Sequence, residues 1–244
     1  FSTTAIDTFV TDALIQNNIG TLAFSKAVFL GSVTLKNSNT TTGSDRYYVS
    51  STGQTIFKGA VTIDNSTSGM VFGNTSGVLT LDSSASLSFA SGFTGNITIK
   101  GVTQLGSSAQ NFTFPSASSK LILGPGNIFN GPFTYYGHYI QLNGSTFNSI
   151  ANITRYGTGN DICTGGNVFN ATTVLRDSSG HSNGFYLANV NGDDFKGDVT
   201  FVQKGTGVSI YPSYNANSTF AKNVTVDGTS VIAFGQNGGK VIFS

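Results

Sequence analysis

The 244-residue chain contains no glutamate and no tryptophan, and cysteine and methionine occur once each. All 11 acidic residues are aspartate, and with 12 lysines and arginines the charged fraction is only 9%. The straight-chain residues that favour helices are therefore scarce, which speaks against a helical bundle or a doubly wound α/β enzyme. The single Cys163 cannot form an internal disulfide, so no covalent staple holds the chain. A net charge of +1 and three scattered arginines, Arg46, Arg155 and Arg176, leave no basic cluster of the kind nucleic acid requires. No apolar run approaches the roughly 20 residues of a membrane-spanning helix. We therefore expect neither a nucleic-acid partner nor a membrane-spanning segment, and the composition itself names no reaction.

What remains is a vocabulary of strands and turns. Glycine (31), serine (30), threonine (31) and asparagine (23) make up nearly half the chain, and 20 Phe and nine Tyr stand among β-branched residues. One phrase recurs: Phe, a variable residue, often Gly, another variable residue, then Val/Ile-Thr-apolar. It appears around Phe29, Phe57, Phe93, Phe129, Phe195 and Phe220, with weaker copies at Phe147 and Phe169. A second phrase, an apolar alternation closed by Asn and Gly, lies between the copies, as in YIQLNG (139–144) and FYLANVNG (185–192).

A longer period encloses both. Residues 1–72 align with 169–234, pairing Phe1 with Phe169, Phe29 with Phe195, Phe57 with Phe220, Asp64 with Asp227 and Phe72 with Phe234. The offsets define a super-repeat of about 165 residues. On this reading residues 1–244 are a continuous segment of a longer repetitive polypeptide.

A unit this short cannot bury its own phenylalanine and must stack on its neighbours. Extended segments separated by Gly, Asn and Asp turns predict an all-β fold, a parallel β-solenoid. Roughly ten coils about 4.8 Å apart would give a rod near 50 Å long. Phe, Ile, Val and Leu would fill it, Thr and Ser would decorate it, and asparagines at a recurrent corner would form ladders from coil to coil. A row of β-sandwiches is the alternative, but it would show hairpins every 8–12 residues.

Few residues offer chemistry. GTGNDICTGG (157–166) is like one calcium-binding nonapeptide turn, with Gly157, Asn160, Asp161 and Gly165 otherwise simple corner residues. Asp193, Asp194 and Asp198 form the densest acidic cluster, a second place where calcium is possible. Its acids are absent from the aligned stretch around Phe29, where Ala27, Val28 and Ser32 stand. A β-helix enzyme acting on polysaccharide would need Asp161, Asp177, Arg155, Arg176 or Lys196 gathered in a cleft, and these do not recur as a set. His138 and His181 lack partners at ligand spacing, and Cys163 reads as a small buried residue. Threonine pairs of the ice-binding kind surface only sporadically, as in NITI (96–99). Ten Asn-X-Ser/Thr sequons occur, at Asn39, Asn65, Asn74, Asn96, Asn111, Asn143, Asn152, Asn170, Asn217 and Asn223, as expected of a chain so rich in these residues. We expect no catalytic, cofactor-binding or metal-binding residue set, and a chain that is not an enzyme.

With LGPGNIFNG, IFNGPFTY, TGGNVFN, GFYLANVNGDDFKGDVTF and NVTVDGTSVIAFGQNGGKVIF, the sequence resembles the giant repetitive surface proteins of Bacteroidota exported by the type 9 secretion system. That group includes gliding adhesins and grappling-hook fibres. The likeness spans almost the whole chain and lies in repeat wording, so no functional residue is carried over. It implies a structural or adhesive rod segment of an extracellular, cell-surface fibre. Such a rod would self-associate into a filament or bundle and attach to surfaces, glycans or other cells. A β-helix that binds or cleaves polysaccharide is the alternative, and it calls for a cleft lined by Asp161, Asp177 and Arg176.

Overall fold

The computed structural model describes residues 5–40, 45–65, 69–73, 76–91, 93–114, 116–117, 119–179, 183–205 and 209–244. The fold is all-β: the described residues form 31 short strands, every pair of neighbours parallel, and one 3-10 turn at Gln236–Gly238. Among the described residues no helix is long and apolar enough to cross a membrane.

The chain winds as a three-sided β-solenoid with one strand on each side per coil. The first face is one unbroken sheet of eleven strands, from Asp7–Phe9 to Val241–Phe243. The second face carries a four-stranded sheet, Ala13–Asn17 to Leu87–Phe89, and then a six-stranded one, Gln110–Phe114 to Val224–Gly228. The third face has six strands from Leu22–Phe24 to Tyr139–Leu142 and four from Asp161–Ile162 to Val231–Ile232. With a rise of about 4.8 Å per level, eleven levels make a rod about 48 Å long.

Period-two alternation sets which residues go inside. In Ala151–Arg155 the first, third and fifth residues are buried and Asn152 is exposed, so this five-residue strand sends three side chains inward. Strand register then stacks like on like. Phe9, Phe29 and Phe57 lie over one another, then Leu81 and Gln104 interrupt, and Phe129, Phe147, Phe169, Phe195, Phe220 and Phe243 complete the column. Successive rings stack at 5.0 Å (Phe147–Phe169), 4.8 Å (Phe169–Phe195) and 4.9 Å (Phe195–Phe220), nearly coplanar. Each buried ring contributes about 2–3 kcal/mol by desolvation and about 0.5–1.5 kcal/mol more by stacking.

The recurrent phrase thus marks a corner. Its Phe ends a strand of the first face, its x-Gly-x makes the bend, and its Val-Thr opens the next strand on the second face, as in Phe57, Gly59 and Val61. Phe93 is the exception. It is buried among Phe89 and Phe114, and the NITI that follows it lies on the third face. The corner glycine is needed for space: a Cβ at Gly131 would come 2.2 Å from the carbonyl oxygen of Ser108 one coil away. Of the residues paired by the long period, Phe29 and Phe195 share the first-face column, as do Phe57 and Phe220. Phe1 lies outside the described residues.

Candidate functional site

The polar groups best suited to chemistry lie inside the rod. Arg155 ends an inward-outward-inward strand, so its guanidinium is carried into the core with no exposed surface. Gly137 precedes it in the same column and Asp177 follows it. A glycine below leaves room for the long side chain, and a carboxylate above answers its charge. Asp161 enters from the third face, so two buried carboxylates flank one guanidinium, with Nε 3.5 Å from Asp161 Oδ2 and 3.6 Å from Asp177 Oδ2. Arg155 donates to the carbonyls of Gly184, Gly157 and Gly159, all at 2.8 Å. Asp161 Oδ2 also accepts the N–H of Ile140 at 3.2 Å.

One cation cannot neutralise two buried anions. Burial pushes the Asp161 carboxyl up to about 7, against the pull of Arg155 and of the Ile140 N–H. Asp177 is raised too, by burial, with Arg155 and Ser179 opposing. A proton held near neutral pH brings the cluster to zero charge.

The cluster also mends the fold. The third-face ladder stops between Tyr139–Leu142 and Asp161–Ile162. There Asp161 takes the N–H of Ile140, and Cys163 Sγ takes that of Leu142 at 3.3 Å. Cys163 is fully buried and its thiol is pushed well up by desolvation. The second-face break is bridged likewise, with Gln110 Oε1 accepting the N–H of Leu87 at 2.9 Å. Side chains replace backbone acceptors at both breaks, which is what burial demands of orphaned N–H groups.

A second polar line runs just before the Phe column. Asn127, Ser145, Asn167, Asp193 and Ser218 are all buried at successive levels. Asn127 Nδ2 donates to Ser145 Oγ (3.1 Å), Asn167 Nδ2 donates to Asp193 Oδ1 (2.8 Å), and Asp193 N–H donates to Ser218 Oγ (3.2 Å). Burial pushes Asp193 up to about 7, opposed by its bonds from Asn167 and Ala188. A second amide ladder stands outside, from Asn170 to Asn148 (2.5 Å) and from Asn148 to Asn130 (2.6 Å).

These placements bear on the few residues that offered chemistry in the sequence. The acids of 189–198 do not converge. Asp193 points into the core, Asp194 faces out towards Lys196 (3.6 Å) and Thr219, and Asp198 accepts from Asn223. In GTGNDICTGG, Asp161 is turned inward onto Arg155, away from any ion-binding turn. Among the described residues no group of three or more His, Cys, Asp or Glu is placed to hold a metal ion. Asp161 and Asp177 do meet, but around Arg155. Arg176, between two inward residues, points outward on the second face, so the three named for a polysaccharide cleft do not line one. Period two in ANITR and TVLRD already places Arg155 and Asp177 inside, on the side of the strand away from any surface cleft. No strand in the described residues carries Thr-X-Thr.

Outside, the described residues include two aromatic groups and more than one groove. Tyr156 packs against Tyr136 (4.7 Å) and His138 (4.3 Å), and Tyr136 is half exposed. Tyr186 and Tyr211 stack at 4.6 Å with Tyr214 edge-on. A groove of about 530 Å3 runs along the corner between the third and first faces, lined by glycines such as Gly144 and Gly165, by Asn143, Thr164 and Asn191, and by Lys100 and Ile122. His181, Asn74 and the side chain of Asn65 lie outside the described residues. Of the remaining sequons, Asn39 is buried and Asn143 is half-buried, whereas Asn96, Asn111, Asn152, Asn170, Asn217 and Asn223 are exposed. No family model matches the sequence, and no curated protein or solved structure is significantly similar to it.

Proposed function

We propose that this chain is a structural and adhesive rod segment of a long extracellular surface fibre, and that it works mechanically and not as an enzyme. One observation carries the reading: the buried ionisable groups are committed to holding coils together. Arg155 ties three carbonyls of the coil corners and two carboxylates, while Asp161, Cys163 and Asn167 take backbone N–H groups from the neighbouring level. Polar groups that might have served a substrate serve the rod. The surface is left to Thr, Ser, Asn, Tyr and Gly, residues suited to broad, weak contacts with glycans or other surfaces. The likeness to fibre proteins of Bacteroidota belongs to this proposal and adds the cell surface as its place.

The test is electron cryomicroscopy of the intact protein on and released from its native cells. A fibre whose repeat follows the solenoid axis supports the reading, and a free compact particle overturns it. The groove favours a second reading, a polysaccharide-binding solenoid. Its glycines and the amide and hydroxyl groups of Asn143, Thr164 and Asn191 suit an extended chain of hydroxyl-bearing units. Affinity electrophoresis in polysaccharide gels decides it: retardation of the wild type, abolished in Asn143→Leu/Asn191→Leu, favours binding there.

A further inference from the structure

The first face differs from the other two. Its sheet is unbroken over eleven strands, whereas each of the others is interrupted. Each of its strands turns one central side chain outward, and register aligns these into a single column from Thr8 to Ile242. Ten of the eleven are Val, Ile or Thr, and the exception is Asp194, which pairs with Lys196 at 3.6 Å. At the four central levels the column reads Thr103, Ile128, Thr146 and Val168. Two residues before each of these is a glycine, and two residues after is Leu105 or a ladder asparagine, so the centre of the face carries no charge. By contrast the second face bears the Lys36–Asp64 and Lys204–Asp227 pairs and Arg176, and the third bears Lys120 and the tyrosines.

We propose that the first face is a lateral interface, and that its occupant is the first face of a second copy of this chain. Two such columns have the same rise of about 4.8 Å, so β-branched side chains of one fall between those of the other, as in a dry interface between paired sheets. Area supports a second copy. A face about 48 Å long and about 13 Å wide covers about 600 Å2 per partner, or about 1,200 Å2 in all, the lower end of a specific interface. The pairing is self-complementary and closes at two rods. The charged pairs Lys58–Asp82 and Lys196–Asp194, on either side of the uncharged centre, lie within the same contact and form its polar rim. This deepens the fibre reading by naming the partner of the rod.

The experiment is sedimentation velocity across the micromolar range. It compares the wild type with Ile128→Lys/Thr146→Lys on the first face and Thr134→Lys/Asn152→Lys on the second. All four positions point outward, and circular dichroism checks that each variant keeps its strands. The wild type and the second-face variant are expected to sediment as dimers and the first-face variant as a monomer. A single-cysteine scan supports the assignment independently of those lysines: Ile128→Cys should give an interchain disulfide and Thr134→Cys should not, with native Cys163 buried and silent. A monomeric wild type, a dimer that survives the first-face lysines, or cross-linking through position 134 instead of 128 overturns the proposal. A monomer that still builds fibres removes the pairing and leaves the rod. A dimer from a protein that forms no fibre does the reverse.

Discussion

This protein should become less stable as pH rises from mildly acidic to neutral, the opposite of the usual acid lability. Asp161 and Asp193 are buried, and each rises from 3.8 in the unfolded chain to about 7 in the folded one. A carboxyl raised on folding keeps a proton that the unfolded chain releases. Its contribution is complete below about 3.8 and is lost as pH climbs through about 7. At about 1.4 kcal/mol per unit, the interval from about pH 4.5 to about pH 7.5 removes about 3 kcal/mol per carboxyl, or about 6 kcal/mol for the two. Asp177 shifts in the same direction. Urea unfolding followed by circular dichroism at the two pH values measures the difference. Asp193→Asn keeps an oxygen to accept from Asn167 and removes the titration, so it should cut the pH dependence by about half. Equal stability at both pH values, or stability that grows with pH, would refute the reasoning. An unchanged slope in Asp193→Asn would remove that residue from it.

Arg155→Met should cost about 3–5 kcal/mol at neutral pH, because it strands two buried carboxylates and three carbonyls, whereas Arg176→Met should stay within about 0.5 kcal/mol; paired urea titrations compare them. Phe169→Ala, which opens a gap between rings 5.0 and 4.8 Å away, should cost about 3–5 kcal/mol, with hydrogen exchange quickening first in the coils on either side. Gly131→Ala should destabilise by about 1–3 kcal/mol through its clash with the Ser108 carbonyl, read from the thermal midpoint.

Much of this architecture is legible in the sequence. Phe-x-Gly-x-Val-Thr joins a strand end, a tight bend and a strand start in six residues, and a chain of such units has little alternative to stacking. The inward polar line is legible as well: Asn127, Ser145, Asn167, Asp193 and Ser218 each stand two residues before a column phenylalanine and so share its side of the strand. Phe93 shows the limit of wording. Its phrase matches the others, but the column positions at the two neighbouring levels are held by Leu81 and Gln104, and Phe93 falls between them, at the corner from the second face to the third. Arg155 shows another. A polysaccharide cleft would need Asp161, Asp177 and Arg176 on one surface, whereas alternation in ANITR sends Arg155 inward, and burial then selects Asp161 and Asp177 as its partners from separate faces. Which levels lose their ladder bonds was not readable at all, because it depends on side chains from adjacent coils competing for the same N–H groups.

The two interrupted ladders lie on different faces and at different heights, and the first face passes both without interruption. A rod pulled or bent tears by opening one level after another. At either weak level two of the three walls are whole, so a tear starting there meets sound backbone pairing before it can reach the second. Offset in this way, like the joints of a brick wall, the two flaws cannot unite into a single fracture plane, and strain applied at one end is carried past both along the continuous wall.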